Sequence, residues 1–446
     1  MLFRSWLRGE YFDHLDGGAT GRVLDEIVAR TGGAPAPAQV PLPRPRVTAL
    51  TLATADGIPS LTVVIDAPLR TARLDGPRAR VDGVVRTSGG VTTATFPLLA
   101  ARWGVPGLAL PSGAYRVTLD DGSSRVRVDA APVPELTHEL FHANAGAEAG
   151  GLVVHIAPPL GPDERGRRAQ SRLERAYRRS GPAREDAVFL ESFYGQSASD
   201  NPLGIDRALD ELHPQTARYW SVADGSVAVP EGGIRIIEGS REWWRVRGAA
   251  RVIVVNDWLR KRFRRRAGQH VLQTWHGTML KRLALDRAGV GLRTRIAVRR
   301  ERARWDALLA QNPYSAKIFR SAYDMRGPIW EDGYPRNDVL QLDGEALAAR
   351  RGEVRRAVGV PDGARVVLYA PTWRDDRTEM VDYVDLTTFA GELGPDHVLL
   401  VRGHSRTLRY GQDLAGDRLI DVTSYPSMAE LLLLADVFVT DYSSAM

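Results

Sequence analysis

The sequence predicts an α/β protein with two parallel-sheet lobes in tandem behind a β-rich segment, and three observations carry that prediction. From about residue 186, short continuous apolar runs alternate with helical segments, the pattern of strands buried on both faces and joined by crossover helices. The same rhythm restarts after a helical stretch around Asp343 to Val358. Polar turns, several with glycine, come directly after the strands, at the strand ends where open parallel sheets hold their ligands.

Bulk properties set the frame. A chain of 446 residues, 43% hydrophobic and 26% charged, has room for two or three domains with ordinary cores. The longest apolar candidate, Leu431 to Thr440, is interrupted by Asp436 and falls short of the ~18 residues a membrane span needs. Glu10, Asp13, His14 and Asp16 interrupt the start of the chain before a signal-peptide core could form, so cytoplasmic residence is the default expectation. The absence of cysteine excludes disulfides, thiolate catalysis and Cys-ligated zinc, and no other metal-ligand spacing stands out. The formal charge is +6, with lysine only at Lys261, Lys281 and Lys317. A compositional preference for arginine would spread evenly, whereas Arg260 to Arg266 packs six basic residues into seven and Lys281 to Arg304 adds nine. Such clusters attract anionic surfaces.

Along the chain, Gly21 to Thr31 reads as a helix and Gly32 to Arg46, with its spaced prolines, as an extended linker, giving a first segment 1–46. Residues 47–134 show short alternating runs (Leu61 to Asp66, Val91 to Phe96, Tyr115 to Leu119, Ser124 to Val128), the last two joined by Asp120, Asp121 and Gly122. Their spacing predicts a small antiparallel β-sandwich without a catalytic cluster, an accessory binding or spacing module. Residues 135–185 read as a connection whose arginine-rich helix, Asp163 to Arg179, is a solvated spacer. The first Rossmann-like lobe is expected over 186–342, with strands at Ala187 to Glu191, Arg218 to Val222, Ile234 to Ile237, Arg251 to Val255, His270 to Thr274 and Ala307 to Gln311. The second is expected over 343–446, with strands at Arg365 to Tyr369, Val398 to Arg402, Arg418 to Val422 and Val437 to Thr440.

The chemistry is read from the residues at the carboxyl ends of those strands. Trp275, His276, Gly277 and Thr278 place an imidazole at a strand-to-helix turn, and histidine can take a proton from a hydroxyl nucleophile, an effect worth about 10² to 10⁴ in rate. Thr372 and Arg374 come after one second-lobe strand, Arg402 and His404 after another, and Asp441, Ser443 and Ser444 after a third. Hydroxyls, guanidinium and backbone N–H groups at such positions suit a diphosphate. Single turns of this kind also serve as ordinary helix caps, but three in one lobe point to anion binding. Glu191, Ser199, Asp200 and Asn201 after the first strand, with Arg336 and Asn337 near the end of the lobe, are expected to face the cleft or an acceptor.

The words Glu191-Ser-Phe-Tyr-Gly with Ser199-Asp-Asn-Pro, Thr274-Trp-His-Gly-Thr, Gly333-Tyr-Pro-Arg-Asn-Asp, Ala370-Pro-Thr-Trp-Arg, Arg402-Gly-His and Thr440-Asp-Tyr-Ser-Ser resemble the CDP-glycerol glycerophosphotransferase family, in order, from about Asp186 to Met446. The resemblance implies a GT-B-like pair of lobes and transfer of a polyol phosphate from a CDP-linked donor to a teichoic acid-type acceptor on a polyprenyl lipid. It implies His276 as the base, with His404, Arg402, Ser443, Ser444 and Asp441 around the donor pyrophosphate and Thr372 and Arg374 nearby. No cofactor is expected, since Arg, His and helix dipoles can neutralise a diphosphate. The resemblance also implies a peripheral protein at the cytoplasmic face of the membrane, where Arg260, Lys261, Arg262, Arg264, Arg265 and Arg266 would meet anionic headgroups. The chain is expected to be a transferase of this class, although, as it ends two residues beyond Ser444, the second lobe is expected to be incomplete, which puts catalysis by this polypeptide alone in doubt.

Two other readings compete. A nucleotide-sugar donor would suit the same architecture. A non-catalytic binder of nucleic acid or membranes would use the arginine clusters alone, but those lack interleaved aromatics and leave the turn residues without a task.

Overall fold

The computed structural model describes residues 45–446 except 56, 121–125, 132, 149, 180, 372–383, 404–417 and 442–446. The expected helix Gly21 to Thr31 and its linker up to residue 44 therefore lie outside the described residues, as do Thr372, Arg374, His404, Ser443 and Ser444.

The β-rich part is built from two larger sheets and a two-stranded hairpin, Leu99–Arg102 with Val105–Ala109. One runs in the order Arg127–Val128, Arg46–Ala55, Ile58–Ile65, Val91–Pro97, Val84–Ser88; the other in the order Leu136–His138, Phe141–Glu148, Gly151–Ala157, Gly113–Leu119, Ala72–Asp75, Arg80–Asp82. Strict alternation puts Leu61, Val63 and Ile65 of the strand Ile58–Ile65 inside. They share one apolar core with Phe96 of the first sheet and Leu74, Tyr115, Phe141 and Val154 of the second. The structure corrects the reading in two places. Residues 136–157, assigned by sequence to a connecting segment, supply three strands of the second sheet, because their alanines and glycines are strand-compatible but carry little apolar alternation. Arg127–Val128 does not hairpin with Gly113–Leu119 but pairs in parallel with Arg46 and Val47.

The helix Gly166–Arg179 is also not a solvated spacer. Ala169, Leu173 and Tyr177 fall on one face at helical spacing and are buried, and Leu173 and Tyr177 join the core of the following lobe, with Tyr177 against Trp244 at 5.1 Å. Three apolar contacts outweigh an arginine-rich remainder that simply stays wet.

Beyond it lies a seven-stranded sheet in the order Ile234–Ile237, Ala217–Val222, Glu185–Glu191, Ala250–Val255, His270–Gln273, Ala307–Leu309, Ile329–Trp330, every pair parallel. The chain starts in the interior strand Glu185–Glu191, fills one side and then crosses to the other. That reversal opens a crevice at the carboxyl ends of Glu185–Glu191 and Ala250–Val255. A four-stranded parallel sheet repeats the plan in the order Leu419–Asp421, His397–Val401, Arg365–Ala370, Val437–Thr440, with its own reversal between Ala370 and Thr440. There the Thr440 hydroxyl donates to the Ala370 carbonyl at 2.7 Å. Among the described residues, no helix is long and apolar enough to cross a membrane.

Named contacts join these parts. Arg78 of the β-rich part reaches Asp224 (2.8 Å) and Gln196 (2.6 Å), and Ser112 N–H donates to the same Asp224 carboxylate. Gly225 permits the approach, since a Cβ there would stand 2.3 Å from the Leu140 carbonyl oxygen. Between the two parallel sheets, Arg207 on the helix Asp200–Leu212 meets Glu430 on the helix Met428–Leu434 at 2.8 Å.

Candidate functional site

The first crevice is occupied by the turn after His270–Gln273. His276 Nδ1 lies 2.5 Å from the backbone carbonyl oxygen of Asn256, the residue after the strand Ala250–Val255. A carbonyl can only accept, so Nδ1 carries the proton and, in the neutral ring, Nε2 keeps its lone pair. The ring is sandwiched by aromatics, with Trp275 stacked at 5.0 Å and Phe193 edge-on at 5.4 Å. Trp275 is itself anchored in the lobe core against Phe319 and Tyr323. Phe193 is fixed by its N–H, which donates to the Asn256 side chain at 2.8 Å.

The turn is held from behind with unusual completeness. Asn201 Nδ2 donates to the carbonyls of Thr274 (3.1 Å) and Trp275 (3.0 Å), Arg336 Nη1 to that of His276 (2.7 Å), and the Tyr334 hydroxyl to that of Gly277 (3.2 Å). Four consecutive carbonyl oxygens thus each receive a side-chain hydrogen bond. Arg336 is paired in turn with Asp200 at 2.7 Å, and its backbone N–H donates to Asn201 Oδ1. Left-handed backbone occurs at both residues that flank the ring, Phe193 and Trp275, and at two in the segments that support them, Tyr194 and Asp200. Strain of that kind costs on the order of 1–3 kcal/mol per residue and persists only where neighbours over-determine it.

The structure therefore places the expected cleft residues differently. Asn201 and Ser199 are wholly buried; Asn201 serves the His276 turn, while Ser199 pairs with Ser197 (2.7 Å) and its carbonyl accepts from Ser192. Asp200 and Arg336 form an ion pair behind the turn, with Arg336 donating to the His276 carbonyl and Asp200 accepting from Arg336 and the Asn201 N–H. Glu191 points into the lobe core, accepting from the Ser221 hydroxyl at 2.6 Å. Burial pushes its carboxyl above the usual range, offset in part by nearby Arg247 and that hydroxyl. Asn337 is half-buried and its N–H donates to the Tyr334 carbonyl. Asn256 was missed by the sequence reading, where the polar pair Asn256-Asp257 directly after an apolar strand was the available signal; Phe193 and Tyr334 stood in the motif words but were given no role.

The arginine cluster is also engaged within the molecule. Arg260 and Lys261 pair with Glu238, Arg262 with Glu174, and Arg265 with Asp306. Arg264 and Arg266 donate to carbonyls of the helix Gly166–Arg179, and Arg266 also covers the Tyr177 ring. Half-exposed ion pairs contribute ~0–1 kcal/mol each, but together they turn the cluster into a strap across its own lobe and not a free patch of charge.

In the second sheet, Arg402 comes after the strand His397–Val401 and donates to the Tyr425 carbonyl at 2.7 Å, while Gly403 N–H donates to the Thr423 hydroxyl at 2.9 Å. Asp441 comes after Val437–Thr440, beside Ala370 at the second reversal. A cavity of about 480 Å³ lies where the β-rich part meets both sheets, lined by Arg78, Trp103, Gln196, Arg207, Tyr425 and Glu430 among others; it contains neither His276 nor Arg402.

Fold and site together define a two-sheet α/β protein with a fixed imidazole at one strand-order reversal and a guanidinium and carboxylate at the ends of the other sheet. Residues 174–446 match the family model described as CDP-Glycerol:Poly(glycerophosphate) glycerophosphotransferase, and the chain belongs to that family. It is 36% identical over 280 residues to a teichoic acid poly(glycerol phosphate) polymerase of Staphylococcus epidermidis, covering 58% of this chain and 38% of that protein. It is 33% identical over 281 residues to a teichoic acid glycerol-phosphate transferase of Staphylococcus aureus, covering 59% and 70%. The solved structure of the wall teichoic acid polymerase TagF superposes with a TM-score of 0.56 at 32% identity, over 62% of this chain and 72% of that one. The chain thus spans under two fifths of the length of the Staphylococcus epidermidis polymerase.

Proposed function

We propose that the chain transfers glycerol phosphate, or another polyol phosphate, from a CDP-linked donor to a lipid-linked teichoic acid-type acceptor, releasing CMP, within a GT-B-like pair of lobes. The observation that carries this reading is the single tautomer imposed on His276, in a turn whose four carbonyls are all tied down. Nε2 takes the proton of an acceptor hydroxyl as its oxygen attacks the polyol-bearing phosphorus. A new P–O bond forms, the P–O bond to CMP breaks, and CMP departs with the electron pair. Preorganisation matters because a base of this kind must sit within hydrogen-bond reach of the hydroxyl.

On the opposite lobe, Arg402 and Asp441 stand at the strand ends that would receive the diphosphate, with His404, Ser443, Ser444, Thr372 and Arg374 as the further donor contacts the family pattern assigns. Family membership, and a TagF variant crystal soaked with CDPG, favour a CDP-linked donor over a nucleotide sugar. For a lipid-borne acceptor, the helix Leu292–Arg302 is a better membrane-facing element than the arginine strap. Leu292 and Ile296 are exposed, and Arg293, Arg295 and Arg300 accompany them on a helix that buries only Val298 and Glu301. Incubation with CDP-glycerol, CDP-ribitol and UDP-sugars, with product mass as readout, tests the assignment: CMP and an extended acceptor are expected, and UDP release with no CMP would overturn it.

A further inference from the structure

We propose that Trp103, in the β-rich part and outside the family match, is a positioning residue for the loop of the second sheet that holds Arg402. The inference rests on the donor-lobe reading above for its consequence, but on geometry alone for its substance. Trp103 sits at the tip of the hairpin formed by Leu99–Arg102 and Val105–Ala109, with φ of +52°, and Gly104 next to it at +79°. That turn lies against the helix Gly344–Val358, since a Cβ on Gly104 would come 3.7 Å from Ala357. The indole packs on the second-sheet core and meets the ring of Tyr425 edge-on, with centroids 5.4 Å apart and planes at 75°.

Tyr425 is the point where three constraints meet. Its hydroxyl donates to Glu430 at 2.8 Å, the carboxylate that also receives Arg207 and Arg350. Its backbone carbonyl accepts from Arg402 at 2.7 Å. Its ring is covered by Trp103. Removing the indole leaves the ring free to move and, with it, the carbonyl against which the Arg402 guanidinium is set. The β-rich part is also fixed on the first lobe through Arg78 and Asp224, so the hairpin reaches the loop from an anchored base. The Trp103 indole N–H is buried without a hydrogen-bond partner, which assigns the contribution to ring surface and predicts that phenylalanine can replace it.

The test uses the full chain, with hydrogen exchange over residues 422–427 and calorimetric titration of CDP-glycerol. Trp103→Ala is expected to speed exchange in that segment and leave it unchanged at 274–277. It should also weaken CDP-glycerol binding about tenfold, whereas Trp103→Phe should stay within about twofold of the parent on both readouts. A purely structural role would instead lower the melting temperature and raise exchange across the whole second sheet without a separate change in affinity. Unchanged exchange at 422–427 in Trp103→Ala overturns the proposal. Should the alanine variant not fold, Trp103→Leu, which keeps apolar volume without a ring edge, carries the same expectation. If the parent chain binds no CDP-glycerol, the proposed function fails, while the positioning claim is still decided by the exchange data.

Discussion

Asn201 is the residue on which the His276 turn depends most. Its one amide satisfies two buried carbonyls and accepts from a third backbone group, so Asn201→Ala should leave the Thr274 oxygen unpaired and the Trp275 oxygen with only the longer bond from the Thr274 hydroxyl (3.3 Å). Each orphaned buried group costs about 1–3 kcal/mol, so denaturant unfolding should show a loss in that range, and CMP release should fall further than stability alone explains. Arg336→Lys should be milder in stability than in rate, because lysine keeps a charge for Asp200 but lacks the rigid planar guanidinium whose Nη1 is set between that carboxylate and the His276 carbonyl. His276 was legible in the sequence because it comes directly after a strand. The tasks of Asn201, Asp200 and Arg336 were not, although the residues themselves stood out. Their targets are carbonyl oxygens, which every residue has, so the pairing leaves no mark in the sequence; the same holds for Asn256, whose carbonyl fixes the tautomer.

The element that delivers these side chains is the helix Asp200–Leu212, pressed against the short 3₁₀ stretch Pro335–Gln341. Gly204 sets their separation: a Cβ there would stand 2.7 Å from Pro335 backbone atoms, which cannot swing aside as a side chain could. Gly204→Ala should therefore push the two apart, cost roughly 1–3 kcal/mol in thermal or denaturant unfolding, and lower CMP release by loosening Asn201 and Arg336 together. A fully active, equally stable Gly204→Ala chain would show that the approach is not needed. Parallel strands such as Ala250–Val255 and His397–Val401 were readable as apolar runs of the right length. Phe141–Glu148 was not, since its alanines and glycine give little periodicity and its strand character comes from pairing with Gly151–Ala157. The helix Gly166–Arg179 was found but misplaced, because Leu173 and Tyr177 look isolated until Trp244 is brought against them.

Across the whole molecule, Glu430 ties the two parallel sheets. Burial alone would raise its carboxyl, but hydrogen bonds from Arg207 and Arg350 outweigh burial and hold it below the ordinary value of 4.5. A carboxylate depressed in the folded state stabilises fully above that ordinary value and loses its contribution as pH falls through the folded one. Acidification below about pH 4.5 should thus raise hydrogen exchange in the helices Asp200–Leu212 and Met428–Leu434, and Glu430→Gln should remove that part of the pH dependence. The proposed division of labour puts proton transfer at one sheet and affinity for the nucleotide at the other. Its most direct test is His276→Ala, measured for both CDP-glycerol binding and CMP release. The predicted result is affinity within about twofold of the parent with release reduced by about 10² or more, the range expected for loss of a general base. Parent-like release from a folded His276→Ala chain would contradict it.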